Sequence, residues 1–281
     1  MKITVAKSAG FCFGVKRAID IALKSAKESK DCVYMLGDIV HNEDVVKAIE
    51  SAGIKKTKKI NNPGIDSLLI RAHGSAKKIF DQAQNLGLKI IDATCPMVKE
   101  IHKIAIDMDR KGYKIIVIGD HKHDEVQGIV GQTKHKAIVL EELADIKKKM
   151  PRMINKAAVV VQSTQNLEKV LQMQELLKER INELLFFNTI CSPTRMKQAE
   201  MKTLPKVNDC IIVIGSKTSA NTKRLYQIAK SINKNSHWVN SAAELKKGWL
   251  KEVQSVGITA GASTPDETIA AIKERIQRIS A

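Results

Sequence analysis

Ile91-Asp92-Ala93-Thr94-Cys95-Pro96-Met97-Val98-Lys99-Glu100 sets a cysteine between a short apolar run (Leu88-Lys89-Ile90-Ile91) and a helical pattern carried by Val98, Ile101, His102, Ile104 and Ala105. The thiol falls at the end of a strand and the beginning of a helix. A helix N-terminus carries unpaired N–H groups and partial positive charge, which favour thiolate over thiol. The device occurs twice more. Ala9-Gly10-Phe11-Cys12-Phe13-Gly14-Val15-Lys16-Arg17 comes before the first helical pattern, and Asn188-Thr189-Ile190-Cys191-Ser192-Pro193-Thr194-Arg195 before a third.

Each cysteine opens a run of alternating helices and short apolar strands. After Cys12 the pattern predicts a helix over 15–25, a strand over 33–37 running into the loop of His41, and a helix over 43–51. A strand over 68–71 then ends at His73, and a helix follows over 76–85. After Cys95 a strand over 113–119 ends in the loop of His123, and a strand over 157–161 ends in Gln162-Ser163-Thr164-Gln165-Asn166. A long helix is predicted from Leu167 to Leu184. After Cys191 a strand over 210–215 leads to Ser219 and Asn221 and a helix over 223–231. A strand over 256–259 then leads to Ser263 and a C-terminal helix.

Cys12 to His41 spans 29 residues, Cys95 to His123 spans 28, and Cys191 to Ser219 spans 28. The matched order of cysteine, first loop and second loop predicts an α/β fold of three similar units, 1–95, 96–190 and 191–281. Mainly parallel sheets follow, with functional loops at the carboxyl ends of their strands. If the units pack about a pseudo-threefold axis, three cysteines and six polar loops converge on one central site.

A chain of 281 residues is too long for one small core. No apolar run approaches the ~20 residues of a membrane span. Met1-Lys2-Ile3-Thr4-Val5-Ala6-Lys7 lacks the apolar block of a signal peptide, so the expected location is the cytoplasm. Five dispersed cysteines fit metal ligands, catalytic groups or core fillers better than disulfides. The net charge of +17 would attract nucleic acid, an anionic substrate or an acidic protein, or simply reflect lysine-rich solvated faces. With aromatics at 4% and no helix-turn-helix, RNA-recognition or zinc-finger pattern, no nucleic-acid module is expected. Lys55-Lys56-Thr57-Lys58-Lys59 and Lys147-Lys148-Lys149 read as linker or helix-end charge.

Three cysteines from three units are one too many for a disulfide pair. A structural zinc site takes four ligands, commonly in Cys-x-x-Cys pairs, and no such pair exists here. Iron–sulfur clusters are held by thiolates, usually four. Three thiolates on four irons leave one iron open as a Lewis acid. The alternative is three buried core thiols. Cys32 and Cys210 each begin an apolar strand and read as core or inert.

The imidazoles of His41, His73 and His123, the hydroxyls of Ser219 and Ser263, and the Asn221 amide suit an anion with many oxygens, such as a diphosphate. His102, His121, His135 and His237 read as surface or structural. Glu125, two residues past His123, is the expected proton donor, because a carboxyl group facing a dry pocket has its pKa raised.

Gly10-Phe11-Cys12-Phe13-Gly14-Val15, Val40-His41-Asn42, Ala72-His73-Gly74, Asp92-Ala93-Thr94-Cys95-Pro96 and His123-x-Glu125-Val126-x-Gly128 resemble the hydroxymethylbutenyl diphosphate reductases, the IspH or LytB family. Thr189-Ile190-Cys191, Gly215-Ser216-Lys217 and Thr259-Ala260-Gly261-Ala262-Ser263 extend the resemblance along the whole chain. It implies one [4Fe-4S] cluster per chain on Cys12, Cys95 and Cys191, with the substrate hydroxymethyl group at the open iron. It also implies a diphosphate held by His41, His73, His123, Ser219, Asn221 and Ser263, and proton relay by Glu125. The implied reaction is reductive dehydroxylation to isopentenyl and dimethylallyl diphosphates, the last step of the methylerythritol phosphate route to isoprenoids. The implied donor is reduced ferredoxin or flavodoxin, and the basic charge would help such acidic proteins dock.

Two positions depart from the family pattern. Ser163-Thr164 stands where Thr-Thr is usual, which keeps a hydroxyl for the substrate. Ser219-Ala220-Asn221 stands where Ser-Ser-Asn is usual, so Ala220 offers only its N–H. One lost hydrogen bond to a charged group is worth about 1.5–3 kcal/mol. The rival readings are an iron–sulfur redox sensor that binds an anionic ligand, and a zinc-dependent phosphate-ester hydrolase.

Overall fold

The computed structural model describes residues 1–29, 31–62 and 64–280. The first third of the chain forms β1 (Lys2–Val5), α1 (Phe13–Glu28), β2 (Val33–Leu36), α2 (Glu43–Ser51), β3 (Lys55–Thr57), β4 (Ser67–Ile70), α3 (Lys77–Asn85) and β5 (Lys89–Asp92). Then come α4 (Pro96–Arg110), β6 (Lys114–Ile118), α5 (Asp124–Val130), β7 (Ile138–Leu140), α6 (Leu143–Lys149), β8 (Ile154–Val161), α7 (Leu167–Lys178) and β9 (Ile181–Phe187). The last third holds α8 (Ser192–Glu200), β10 (Cys210–Ile214), α9 (Ala220–Ile232), β11 (Ser236–Val239), β12 (Ser255–Ala260) and α10 (Asp266–Ser280), with short 3-10 turns between them.

The strands form three four-stranded sheets, β5-β4-β2-β3, β9-β8-β6-β7 and β1-β12-β10-β11, and every pairing is parallel. The three orders are equivalent. The strand leading to a cysteine lies on one edge, beside the strand that ends in a second loop, then the strand that ends in a first loop, then a short edge strand. The register Lys2↔Ser255 puts the strand before Cys12 into the sheet of the chain's last third.

Parallel sheets covered on both faces need strands that are apolar throughout, and β10 is buried at all five positions. Alternation sorts its side chains by face. Ile212 and Ile214 join Val256, Ile258 and Ile272 in one cluster, while Ile211 and Val213 join Leu225 and Met201 in the other. In the β6–β8 pair, Ile116, Val159 and Val161 point one way and Val117, Ala158 and Val160 the other. Ile212 is fully buried on a strand paired on both sides. Ile212→Ala should therefore lower stability by about 2–5 kcal/mol, seen as a lower urea midpoint with an unchanged slope.

Two compact units divide the chain. One comprises Met1–Lys16, His41–Val45 and Ser192–Ala281 and contains the β1-β12-β10-β11 sheet. The other comprises Arg17–Val40 and Val46–Cys191 and contains the remaining two sheets. Within the second unit those sheets meet through Lys77 N to Gly131 O at 3.2 Å and Gln132 Nε2 to Ser75 O at 2.8 Å.

Several local expectations need correction. The helix from Leu167 stops at Lys178, and Leu184 lies in β9. The run Leu184-Leu185-Phe186-Phe187 pairs with Ala157–Val160 of β8, and that pairing outweighs its helical periodicity. Lys55-Lys56-Thr57 is no linker. It forms edge strand β3, with Thr57 buried and both lysines exposed, as an edge strand tolerates. Cys32 lies just ahead of β2 and is exposed, whereas Cys210 is buried, which pushes its thiol up to about 12. Among the described residues, no helix is long and apolar enough to cross a membrane.

Candidate active site

Cys12, Cys95 and Cys191 each stand directly before the first residue of a helix: Phe13 of α1, Pro96 of α4 and Ser192 of α8. Proline suits that first position, because its fixed φ is helical and an N–H there would have no partner within the helix. Each cysteine's amide also donates into the loop that ends the neighbouring strand. Cys12 N reaches Ala262 O at 3.1 Å, Cys95 N reaches Ala72 O at 2.9 Å, and Cys191 N reaches Ser163 O at 3.0 Å. All three thiols are half-buried and outside any disulfide.

In the second unit, Thr94 N donates to Asp92 Oδ1 at 2.9 Å, Lys99 pairs with Asp92 at 2.6 Å, and Arg17 donates to Thr94 O at 3.1 Å. Burial alone would raise the Asp92 pKa, but the bonds from Lys99 and Thr94 outweigh it and hold the carboxyl below its usual range. The segment ahead of Cys95 is thus tied at three points.

His73 and His123 meet edge to face in the same unit, with ring centroids 5.3 Å apart. His123 caps α5 by accepting Glu125 N on Nδ1 at 3.1 Å, which puts the proton of the neutral ring on Nε2. Glu125 is 1% exposed, and Ser163 holds both of its oxygens, through its N–H at 2.6 Å and its hydroxyl at 2.8 Å. A serine hydroxyl can donate and accept at once, so Ser163 offers Glu125 a proton path. Fully buried Gln162 accepts from Asp120 N at 2.9 Å and donates to Thr164 Oγ1 at 3.2 Å, which fixes the loop holding Ser163. Arg71 pairs with Asp124 in the first turn of α5. No local pattern marked that pair, since its partners are 53 residues apart.

His102 proves to be structural, packed beneath the His73 loop. Gly74 has φ +72°, and a Cβ there would lie 2.9 Å from His102 Cε1 and 3.1 Å from Thr94 Cγ2. His102 Nε2 is buried without a hydrogen-bond partner among the described residues. Burial pulls the pKa of His102 down to about 4, against a weaker opposite pull from Asp92. The folded protein then binds fewer protons than the unfolded chain between pH 6.5 and 4, so stability falls as pH drops through that window. A loss of about 2 kcal/mol is expected at pH 5 relative to pH 7.5. His102→Gln should flatten that slope in urea titrations at the two pH values.

In the first unit Ser219 caps α9, its hydroxyl accepting Thr222 N at 3.3 Å, and Ala220 and Asn221 form the buried first turn. Asn221 Nδ2 is buried with no hydrogen-bond partner among the described residues. An unmet buried donor costs about 1–3 kcal/mol, a cost that a bound anion would remove. Ser263 donates to His41 O at 3.0 Å, and Ser216 donates to Glu43 Oε1 at 2.7 Å, so the His41 loop is held by both functional loops of this sheet.

Comparison with known proteins gives a consistent answer. The LytB protein family matches residues 3–277. A 4-hydroxy-3-methylbut-2-enyl diphosphate reductase of Aquifex aeolicus (strain VF5) is 39% identical over 280 residues, covering 99% of this chain and 96% of the relative. One of the same description from Clostridioides difficile (strain 630) is 39% identical over 267 residues, 95% of each chain. A solved structure described as (E)-4-hydroxy-3-methyl-but-2-enyl diphosphate reductase, the terminal enzyme of the non-mevalonate pathway, superposes with a TM-score of 0.71 at 38% identity. It covers 99% of this chain and 100% of the other. The Plasmodium falciparum E-1-hydroxy-2-methyl-but-2-enyl-4-diphosphate reductase superposes with a TM-score of 0.91 at 27% identity, covering 100% and 88%.

Proposed function

The chain belongs to the LytB family, and on that premise we infer that it is a 4-hydroxy-3-methylbut-2-enyl diphosphate reductase, terminal enzyme of the non-mevalonate pathway. The observation that carries this reading is identity of 39% over 280 residues, 99% of this chain and 96% of the relative. In the reaction two electrons and two protons enter, the allylic C–O bond breaks and water leaves. Isopentenyl or dimethylallyl diphosphate remains.

We propose that Cys12, Cys95 and Cys191 hold one [4Fe-4S] cluster, which when bound supplies electrons and a Lewis-acidic iron. The donor set fits: three half-buried thiols outside disulfides, each at a helix start and each with its amide anchored in a functional loop. His41, His73, His123, Ser219, Asn221 and Ser263 bind the diphosphate. The unmet Asn221 amide supports that assignment. Ser163 and Thr164 line the substrate's hydroxymethyl end, and Ala220 contributes only its N–H. Glu125 passes protons through the Ser163 hydroxyl to the departing oxygen. Reduced ferredoxin or flavodoxin supplies the electrons. The segments 1–95, 96–190 and 191–281 are proposed as the repeating units of the chain, each carrying a first and a second functional loop: His41 and His73, His123 and Ser163, Ser219 and Ser263.

The test is anaerobic. Reduced methyl viologen should be oxidised only when the diphosphate substrate is added to iron-loaded protein. Iron-loaded protein that leaves the dye reduced would end the reading.

A further inference from the structure

Lys197 is 2% exposed and heads the largest fully buried side chains. It sits on α8, the helix that follows Cys191 in the chain. Its ammonium donates to the carbonyls of Ser8, Gly10 (3.0 Å) and Ala260 (3.2 Å). One turn on, Glu200 accepts from Ser8 N at 3.1 Å and from the Ser8 hydroxyl. The helix therefore grips the Ser8–Gly10 turn through its carbonyls and its amide, two residues ahead of Cys12. Gly10 has φ +92°, a backbone conformation that a residue with a Cβ rarely adopts, so the turn needs glycine there.

Anchoring a turn does not require a full charge. Burying an ammonium is costly even when it is hydrogen-bonded, and a neutral amide donor would hold carbonyls at lower cost. Gly10 and Cys12 are two peptide units apart, at most about 7–8 Å between Cα atoms. In a water-poor setting a fixed charge acts strongly over that range.

We propose that Lys197 is a positioning residue that sets the Cys12 turn and places a fixed positive charge behind it, raising the potential at which a cluster held by Cys12 accepts electrons. This rests on the reading that Cys12 is a cluster ligand. Glu200, on the same turn, acts in the opposite sense.

The experiment measures iron and sulfide content and the cluster's midpoint potential, by EPR-monitored dithionite titration, in wild-type holoenzyme and in Lys197→Gln, Lys197→Arg and Glu200→Gln. Lys197→Gln should shift the midpoint to more negative values, Lys197→Arg should restore it, and Glu200→Gln should shift it the other way. Equal shifts in Lys197→Gln and Lys197→Arg, or none in Lys197→Gln, would overturn the electrostatic role while leaving the enzyme assignment standing. Should Lys197→Gln fail to hold iron, Glu200→Gln decides: a positive shift supports the proposal and an unchanged midpoint overturns it. Wild-type protein that binds no iron fails at the earlier step and removes both.

Discussion

Glu125→Gln is expected to keep its full iron content and its substrate KM while kcat falls by about 10²–10⁴-fold, the range a positioned acid contributes. The substitution suits the surroundings of Glu125. The carboxylate accepts from Ser163 N at 2.6 Å and from Ser163 Oγ at 2.8 Å. A glutamine oxygen can accept the first of these bonds, and the serine hydroxyl can turn to accept the amide N–H₂ in place of donating. Shape and both bonds to Ser163 therefore survive, while the exchangeable carboxyl proton is lost. That separates proton relay from structure. Ser163→Ala should show a smaller loss, because Glu125 keeps the backbone donor but its route outward is cut. Wild-type kcat in Glu125→Gln would remove Glu125 from the mechanism, and a redox sensor that needs no proton donor would become the better account.

What could be read from the sequence was local. A cysteine between an apolar run and a helical pattern announces a strand end and a helix start, and Cys12, Cys95 and Cys191 all stand there. The loop residues Ser219 and Asn166 are helix caps, a role written in their own residue types, whereas the cap that His123 provides is not one its type announces. The remainder depended on contacts distant in sequence. Edge strands β3, β7 and β11 are three or four residues long, too short for alternation to declare itself. The register Lys2↔Ser255 joins the two ends of the chain, and no window of periodicity reports it. Lys197 has the look of a solvated helix charge. Its burial follows from the Ser8–Gly10 turn, 187 residues away from it at Gly10. His237 reads from sequence only as surface or structural; its stacking partner, Trp249 at 4.0 Å between ring centroids, comes from a separate turn.

Replacing any one of Cys12, Cys95 or Cys191 by serine should strip the protein of its cluster and reduce viologen oxidation to background. Replacing Cys32 or Cys210 should do neither. The contrast follows from placement. Cys32 is exposed at the mouth of β2, and Cys210 is sealed inside a strand where burial holds it as a thiol, so neither is built to hold metal. The other three share a helix start and an amide bond into a functional loop. Losing an outer-shell partner of a metal ligand commonly costs about 10–100-fold in affinity or activity, and losing one of only three ligands sets that range as the lower bound. Serine is the fitting substitution, because it nearly matches cysteine in size and is favoured at a helix N-cap, so the fold stays intact. Circular dichroism should therefore match wild type while iron and acid-labile sulfide fall together. A Cys95→Ser protein with wild-type iron and sulfide would mean that the cluster is held by other groups. The equivalence of the three sheets would then have no chemical purpose.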